Sequence, residues 1–288
     1  MNVELRHLRA FAAVASLRSF TAASRELLVT QPALTRTIQQ LESEIGVQLF
    51  VRTTRNVELT PAGEAFHDHV TGVLSELDRA LDSIRGELAL RVGFQWLLPD
   101  PWAAETISEF ERVTGVSVIL LRRDDLGTPL HSGDIDLAVT RTRLSLAGSV
   151  HTPLFEEDRV AVVPARSPLA DVESIDWLEL AREPIVVNTV SGTTRPELWP
   201  ANHRPQRIVT CGNYDEWLEL VVTGHGVGTL PESAARTATH PSLRFVALTG
   251  APSVSIWLAY QPRRLNPWGR RFLTVAIAVR DRLVASHA

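Results

Sequence analysis

The 288-residue chain contains no lysine, and all 29 of its basic residues are arginine. That bias points to a genome rich in G and C as much as to any physical need, and it says nothing about function. Cysteine occurs once, at Cys211, which excludes an internal disulfide and reads as a small buried residue rather than a redox sensor. No uninterrupted apolar run approaches a membrane span, and Glu4 stands where a secretory signal would be basic and then apolar. The expectation is a cytoplasmic protein with no membrane partner.

Groupings that carry chemistry are equally scarce. There is no Gly-x-Ser-x-Gly elbow, no P-loop and no dinucleotide fingerprint. His67 and His69 lie two apart on an expected helix and point to different faces, unlike a metal-binding i, i+4 pair. Gly224-His225-Gly226-Val227-Gly228 lacks the preceding strand and following helix of a nucleotide loop. Asp134 and Asp136 read as a turn and its cap rather than a catalytic pair. The chain is therefore expected not to be an enzyme, and no cofactor or metal is implied.

What is present begins at the N-terminus. Leu5, Leu8, Ala12 and Ala15, with Phe11 beside them, share one face of a first helix. Ser19 can cap a second, whose Ala22, Ala23 and Leu27 give a small-residue inner face. Thr30 is placed to cap a third, Pro32 is tolerated in its first turn, and Gly46 ends it. Along that helix Leu34, Ile38, Leu41 and Ile45 form a narrow apolar stripe. The opposite face carries Pro32, Arg36, Gln39 and Ser43, with Thr35 and Gln40 at its edges and Gln31 projecting from its start. Arg can grip guanine, Gln can pair with adenine, and a Thr methyl can pack on thymine. A solvated face would look the same in a single helix taken alone.

The neighbouring residues favour the first reading. Val47 to Arg52 and Val57 to Thr60 flank Thr53-Thr54-Arg55-Asn56, as two short strands flank a polar tip. Such a wing would let Arg52 and Arg55 reach phosphate or a minor groove. Residues 1–60 carry seven Arg against five Glu, a net +2, whereas the rest of the chain is net −6. The only net-basic segment is thus a winged helix-turn-helix, a device for laying one helix in the major groove of DNA.

From residue 62 to 88, Val70, Leu77 and Ile84 repeat every seven residues, and Leu74, Leu81 and Leu88 form a second such series. Together they fill the a and d positions of a dimerising seam. The run covers barely three heptads, so a helix packed on its own domain fits as well.

Strands then alternate with helices: 88–94, 116–121 and 135–140 as strands, with 102–113 a helix whose Trp102, Ile107 and Phe110 face inward. The pattern indicates an α/β unit with a largely parallel sheet. A second such unit spans about 163–262, with strand 185–188, helix 214–222 and a glycine-rich turn at 224–231 leading into a strand. A last helix bearing Trp268, Phe272, Val275, Ala276 and Val279 returns to the first unit. The expected layout is α+β and multidomain: residues 1–60 a DNA-binding head, 61–88 a linker helix, and 89–288 two lobes. Lobe I is expected over 89–162 and 263–288 and lobe II over 163–262, with crossings near Val163 and Tyr260–Pro262.

These residues carry a resemblance to the LysR-type transcriptional regulators. Ser19-Phe20-Thr21-Ala22-Ala23, Gln31-Pro32-Ala33-Leu34-Thr35-Arg36, Leu41-Glu42 through Leu49-Phe50-Val51-Arg52, and Leu59-Thr60-Pro61-Ala62-Gly63 occur in the order and spacing of that family. Shorter phrases continue the match: His131 to Asp136, Pro153 to Asp158, Ser167 to Ala170 and Gly224 to Pro231. The chain departs at Gly115, where the family commonly has proline, and in the bulky loop Gln95-Trp96-Leu97-Leu98. The resemblance implies groove contacts from Gln31, Pro32, Thr35 and Arg36, and wing or backbone contacts from Arg52 and Arg55. It also implies a dimerising linker helix and a two-lobed domain similar to type 2 periplasmic binding proteins. Double-stranded operator DNA, a small-molecule effector and further copies of the chain, as homodimer or homotetramer, are the implied partners, and RNA polymerase stays open as another.

In α/β lobes, ligands sit beyond the carboxyl ends of the strands, near helix N-termini. Gln95 and Trp96, Thr140 and Arg141, Ser191, Thr193 and Thr194, and Asn213 fall at such ends. Arg141 with the Ser191–Thr194 hydroxyls would suit a carboxylate; as a structural residue, Arg141 would instead make an interlobe salt bridge. Trp96 would stack on an aromatic ligand or simply fill the cleft.

Overall fold

The computed structural model describes residues 2–52, 57–85, 88–238 and 240–287. It divides into two units, one of Met1–Leu88 with His131–Asp134, the other of Ala89–Leu130 with Ile135–Ala288.

The first unit opens with α1 (Leu5–Leu17), α2 (Phe20–Glu26) and α3 (Gln31–Ile45). Ser19 Oγ accepts the Ala22 amide at 3.2 Å and Thr30 Oγ1 accepts that of Ala33 at 3.4 Å, so both expected caps form. Gly46 closes α3 at φ 74°, a left-handed turn that costs glycine little. Leu34, Ile38 and Leu41 are buried against Phe11, Val14, Phe20 and Phe50. The buried face of α1 is wider than expected: His7, Ala10, Phe11, Ala13 and Val14 are inside, while Leu5 is exposed. The cause is that α1 packs on α2 and α3 and also on α4, so no single stripe describes it.

β1 (Phe50–Arg52) pairs antiparallel with β2 (Val57–Leu59), and α4 (Pro61–Arg85) follows. The Glu42 carboxylate accepts the amides of Leu49 at 2.8 Å and Phe50 at 3.2 Å, fixing where β1 begins. Thr60 Oγ1 caps the Gly63 amide at 2.9 Å and donates to Gln48 O at 2.8 Å. A Cβ on Gly63 would lie 2.1 Å from Leu49 O, so only glycine lets α4 approach this closely. Along α4, Val70 is 2% exposed and Leu74 packs beside it, both in the core of the unit. The seven-residue series is therefore split: Val70 and Leu74 are already covered, whereas Leu81 is 38% and Ile84 84% exposed.

The second unit runs β3 (Ala89–Phe94), α5 (Trp102–Thr114), β4 (Ser117–Arg122), α6 (Gly127–Ser132), β5 (Leu137–Thr140), β6 (Val150–Glu157), β7 (Arg159–Pro164), β8 (Ser174–Asp176), α7 (Trp177–Leu180), β9 (Ile185–Asn188), β10 (Ile208–Cys211), α8 (Tyr214–Val222), β11 (Gly228–Pro231), α9 (Glu232–Thr237), β12 (Leu243–Thr249), β13 (Val254–Tyr260) and α10 (Pro267–His287). The first lobe is a five-stranded sheet in the order β4-β3-β5-β13-β6; β3 is parallel to β4 and β5, and β13 is antiparallel to β5 and β6. α5 and α10 pack together on it through Phe110, Phe272, Ala276 and Val279, and Trp102 Nε1 donates to Ala276 O at 2.9 Å. The last helix thus belongs to the first lobe.

The second lobe differs from the parallel unit expected. Its four-stranded sheet, β11-β7-β12-β8, is antiparallel except between β12 and β8, and a bridge from Ile185 to Val227 joins the parallel pair β9 and β10 to it. The crossings also move. β7 belongs to the second sheet and β13 to the first, which puts the crossings at Asp158 and at 250–253 rather than near Val163 and Tyr260–Pro262. Gly250 and Pro252 were the breakers that mark the second crossing, and the first is decided by pairing partners far away in sequence.

Candidate DNA-reading face and effector cleft

On α3, Gln31, Pro32, Arg36 and Gln39 are exposed and Thr35 is half-buried, all opposite the Leu34, Ile38 and Leu41 stripe. The inner stripe holds the helix on the three-helix core, leaving its N-terminal turns free to enter a groove. Arg36 makes no ion pair among the described residues, so its five donors stay available for a base edge or phosphate. Arg55 and the side chain of Arg52 lie outside the described residues.

In the second unit, the loop after β3 meets the loop after β9. Trp96 is buried, donates from Nε1 to Ser191 O at 3.1 Å and stacks on Tyr214 with ring centroids 6.0 Å apart. Ser191 Oγ accepts from Asn188 Nδ2 at 2.8 Å and donates to Asp124 Oδ1 at 3.3 Å. Gln95 is buried beside them, its Nε2 directed at Asp124 O at 3.5 Å. Thr193, Thr194, Asn188, Tyr214 and Thr229 line the space that remains, about 20 Å³, room for roughly one water molecule. Gln95, Trp96, Ser191, Thr193 and Thr194 are therefore gathered at one cleft between the lobes.

Three other candidates are occupied locally. Thr140 Oγ1 donates to Thr142 O at 2.7 Å and accepts the Thr142 amide at 3.2 Å. Asn213 Oδ1 caps α8 by accepting the Glu216 amide at 2.9 Å. Arg141 is buried: its guanidinium lies 4.3 Å from the Trp96 ring centroid, donates to Leu97 O and to Ser233 Oγ, and has its Nε 3.8 Å from Glu157 Oε2. Burial lowers its pKa to about 10 and pushes the Glu157 carboxyl up, because at that separation the pair recovers less than desolvation costs. The ion pair joins two strands of the first lobe, and the link across the lobes is the bond to Ser233.

The cation that reaches Thr193 is Arg159, not Arg141. From β7 it donates to Thr193 Oγ1 at 3.1 Å, Thr193 O at 2.9 Å, Thr194 Oγ1 at 3.5 Å and Pro252 O at 2.8 Å. It is 5% exposed with no carboxylate partner among the described residues, and desolvation alone lowers its pKa to about 10. Sequence reasoning passed over Arg159, Asp124, Asn188, Tyr214 and Thr229. The available signal was a charged residue opening the otherwise apolar strand Arg159-Val160-Ala161-Val162-Val163.

The comparisons match this geometry. Residues 5–64 match the bacterial regulatory helix-turn-helix protein family, lysR type, and residues 85–280 the LysR substrate binding domain. The chain belongs to the LysR family. It is a DNA-binding transcriptional regulator with an effector-binding domain. Among its relatives, the uncharacterized HTH-type transcriptional regulator YnfL of Escherichia coli K12 is 33% identical, the match covering 94% of this chain and 97% of that one. The regulator AlsR of Bacillus subtilis 168 is 30% identical over 99% of both. CbnR, a LysR family regulator of known structure, superimposes with TM-score 0.72 at 23% identity, covering 96% of this chain and 99% of that one. A second CbnR structure contains its target DNA and gives TM-score 0.71. At that identity the likeness establishes the fold of this LysR-type regulator and no more. Among the described residues no helix is long and apolar enough to cross a membrane.

Proposed function

We propose that this regulator reads operator half-sites through Gln31, Pro32, Thr35, Arg36 and Gln39, with Arg52 and Arg55 on the flanking backbone, and that a small anion taken up between its lobes alters that reading. The carrying observation is the exposed polar face of α3 opposite a buried stripe, held by caps at both ends. Pairing through the exposed end of α4 brings two heads together, giving two half-sites about one helical turn or a multiple apart. A tetramer and contact with RNA polymerase extend the same plan, and the chain acts in the cytoplasm without catalysing a reaction.

The effector is an organic anion, with a carboxylate the simplest choice. Arg159 is a buried cation without a counter-charge, and because its N–H groups donate to Thr193 and Thr194, those hydroxyls keep their own hydrogens for an acceptor. The Trp96 and Tyr214 rings offer faces to a flat body. With so little free space, entry requires Trp96 to move, and that movement gives the ligand unequal affinity for two lobe arrangements.

Mobility shifts on the DNA upstream of the gene, run with and without candidate carboxylates, test both parts. Arg36→Ala is expected to lose about 1 to 3 kcal/mol on the operator and to relax preference at one position. Equal losses on operator and random DNA would make Arg36 a phosphate contact. Thr193→Val is expected to keep operator affinity and weaken the response to the carboxylate.

A further inference from the structure

A cavity of about 540 Å³ lies away from the Trp96 cleft, with walls from both lobes and from the first crossing. Its size is that of a small-molecule site. Phe155, Leu283 and Val284 of the first lobe form an apolar side, and Glu232 and Ser233 of the second lobe face it. Five carboxylates line it, Asp100, Glu156, Glu157, Asp158 and Glu232, against two guanidinium groups, Arg236 and Arg280. Both cations are engaged, Arg236 with Glu232 at 3.0 Å and Arg280 with Asp281 outside the cavity at 2.6 Å. The walls therefore carry surplus negative charge.

A second observation is independent of that count. The Glu157 side chain is 8% exposed, yet its Oε2 has no hydrogen-bond partner. Arg141 Nε, 3.8 Å away, is likewise without one. A buried carboxylate oxygen with no donor is costly and rare, and a ligand N–H beside it would remove the cost.

We propose that this cavity is a second small-molecule site that takes a small organic cation, an ammonium group on an apolar alkyl or arylalkyl body, with the ammonium at Glu157 and the body on Phe155, Leu283 and Val284. Asp158 is the crossing itself, so the occupant touches both lobes and the hinge between them. Its affinity depends on how the lobes are arranged, which makes the site a second lever on that arrangement. Anions are excluded by the same carboxylates that attract the cation.

Titration calorimetry of the full chain with phenethylammonium and with phenylacetate, one body with opposite charges, tests this. The ammonium is expected to bind, and to lose at least about tenfold in affinity in Glu157→Gln. Val284→Trp, at a position 56% exposed and therefore tolerant of change, is expected to abolish ammonium binding by filling the cavity while leaving intact any heat from phenylacetate in the Trp96 cleft. Melting curves establish that both variants are folded, and Val284→Trp decides if Glu157→Gln is not. Absence of ammonium binding, or an affinity unchanged in Val284→Trp, overturns the proposal.

Discussion

Trp96 is held from two sides, by the Arg141 guanidinium 4.3 Å from its ring centroid and by Tyr214, whose ring is nearly parallel to it at 8°. Arg141 and Trp96 come from the first lobe and Tyr214 from the second, so the stack and the Trp96 bond to Ser191 O tie the lobes together. The residues that close the cleft are thus the ones a ligand must displace. That arrangement makes stability and ligand response two readings of the same contacts.

Arg141→Ala should leave Glu157 buried without its cation and cost about 3 to 5 kcal/mol, the usual penalty for breaking one side of a buried pair. Replacing both, Arg141→Met with Glu157→Leu, should cost less, since neither charge is then stranded. Urea denaturation of the three proteins measures this, and equal losses in single and double variants would remove the pair from the account.

The raised Glu157 pKa sets a pH dependence. Burial makes the folded state hold this proton more tightly than the unfolded chain does. Its contribution favours folding below the ordinary glutamate value and is lost as pH rises through the raised folded value. The melting temperature of Glu157→Gln relative to wild type should therefore climb with pH across that window. A difference that stays flat means Glu157 titrates like an exposed carboxyl.

In the head, Gly63→Ala places a Cβ 2.1 Å from Leu49 O and must push α4 off β1. A loss of about 1 to 3 kcal/mol is expected, in the range of overpacked cores. Glu42→Ala strands the amides of Leu49 and Phe50, each bond to a charged acceptor contributing about 1.5 to 3 kcal/mol. Thermal unfolding followed by operator affinity distinguishes both from wild type; a Gly63→Ala head as stable as the parent would contradict the close approach.

Charges on α4 should separate its two halves. Leu81→Asp with Ile84→Asp removes exposed apolar positions and is expected to lower the oligomeric state while leaving the head folded. Val70→Asp, in the core of the head, should instead unfold it. Sedimentation and circular dichroism report the two outcomes, and an oligomer unaltered by the first pair would place the dimer contact elsewhere.

Much of the head was legible because its signals are local. Ser19, Thr30 and Gly46 cap the helices by themselves, and the stripe from Leu34 to Leu41 has the helical period in full view. The cleft was legible in part. Strand ends at Trp96, Ser191 and Thr193 follow from the α/β rule, but Arg159 sits on a strand that sequence pattern assigned to the first lobe, and so its place beside Thr193 went unseen.

By itself the sequence determined the three helices, the exposed reading face of α3, the alternating strands and helices, and the family to which they belong, because each depends on residues within a turn or two of one another. Tertiary structure alone decided which strands share a sheet, that Val70 and Leu74 are spent inside the head, that Arg141 is balanced by Glu157, and that Arg159 has no counter-charge. These depend on contacts between segments tens of residues apart. The period of a sequence can say that a side chain is buried, but the partner that buries it, and the charge that partner carries, is supplied only when the chain folds back on itself.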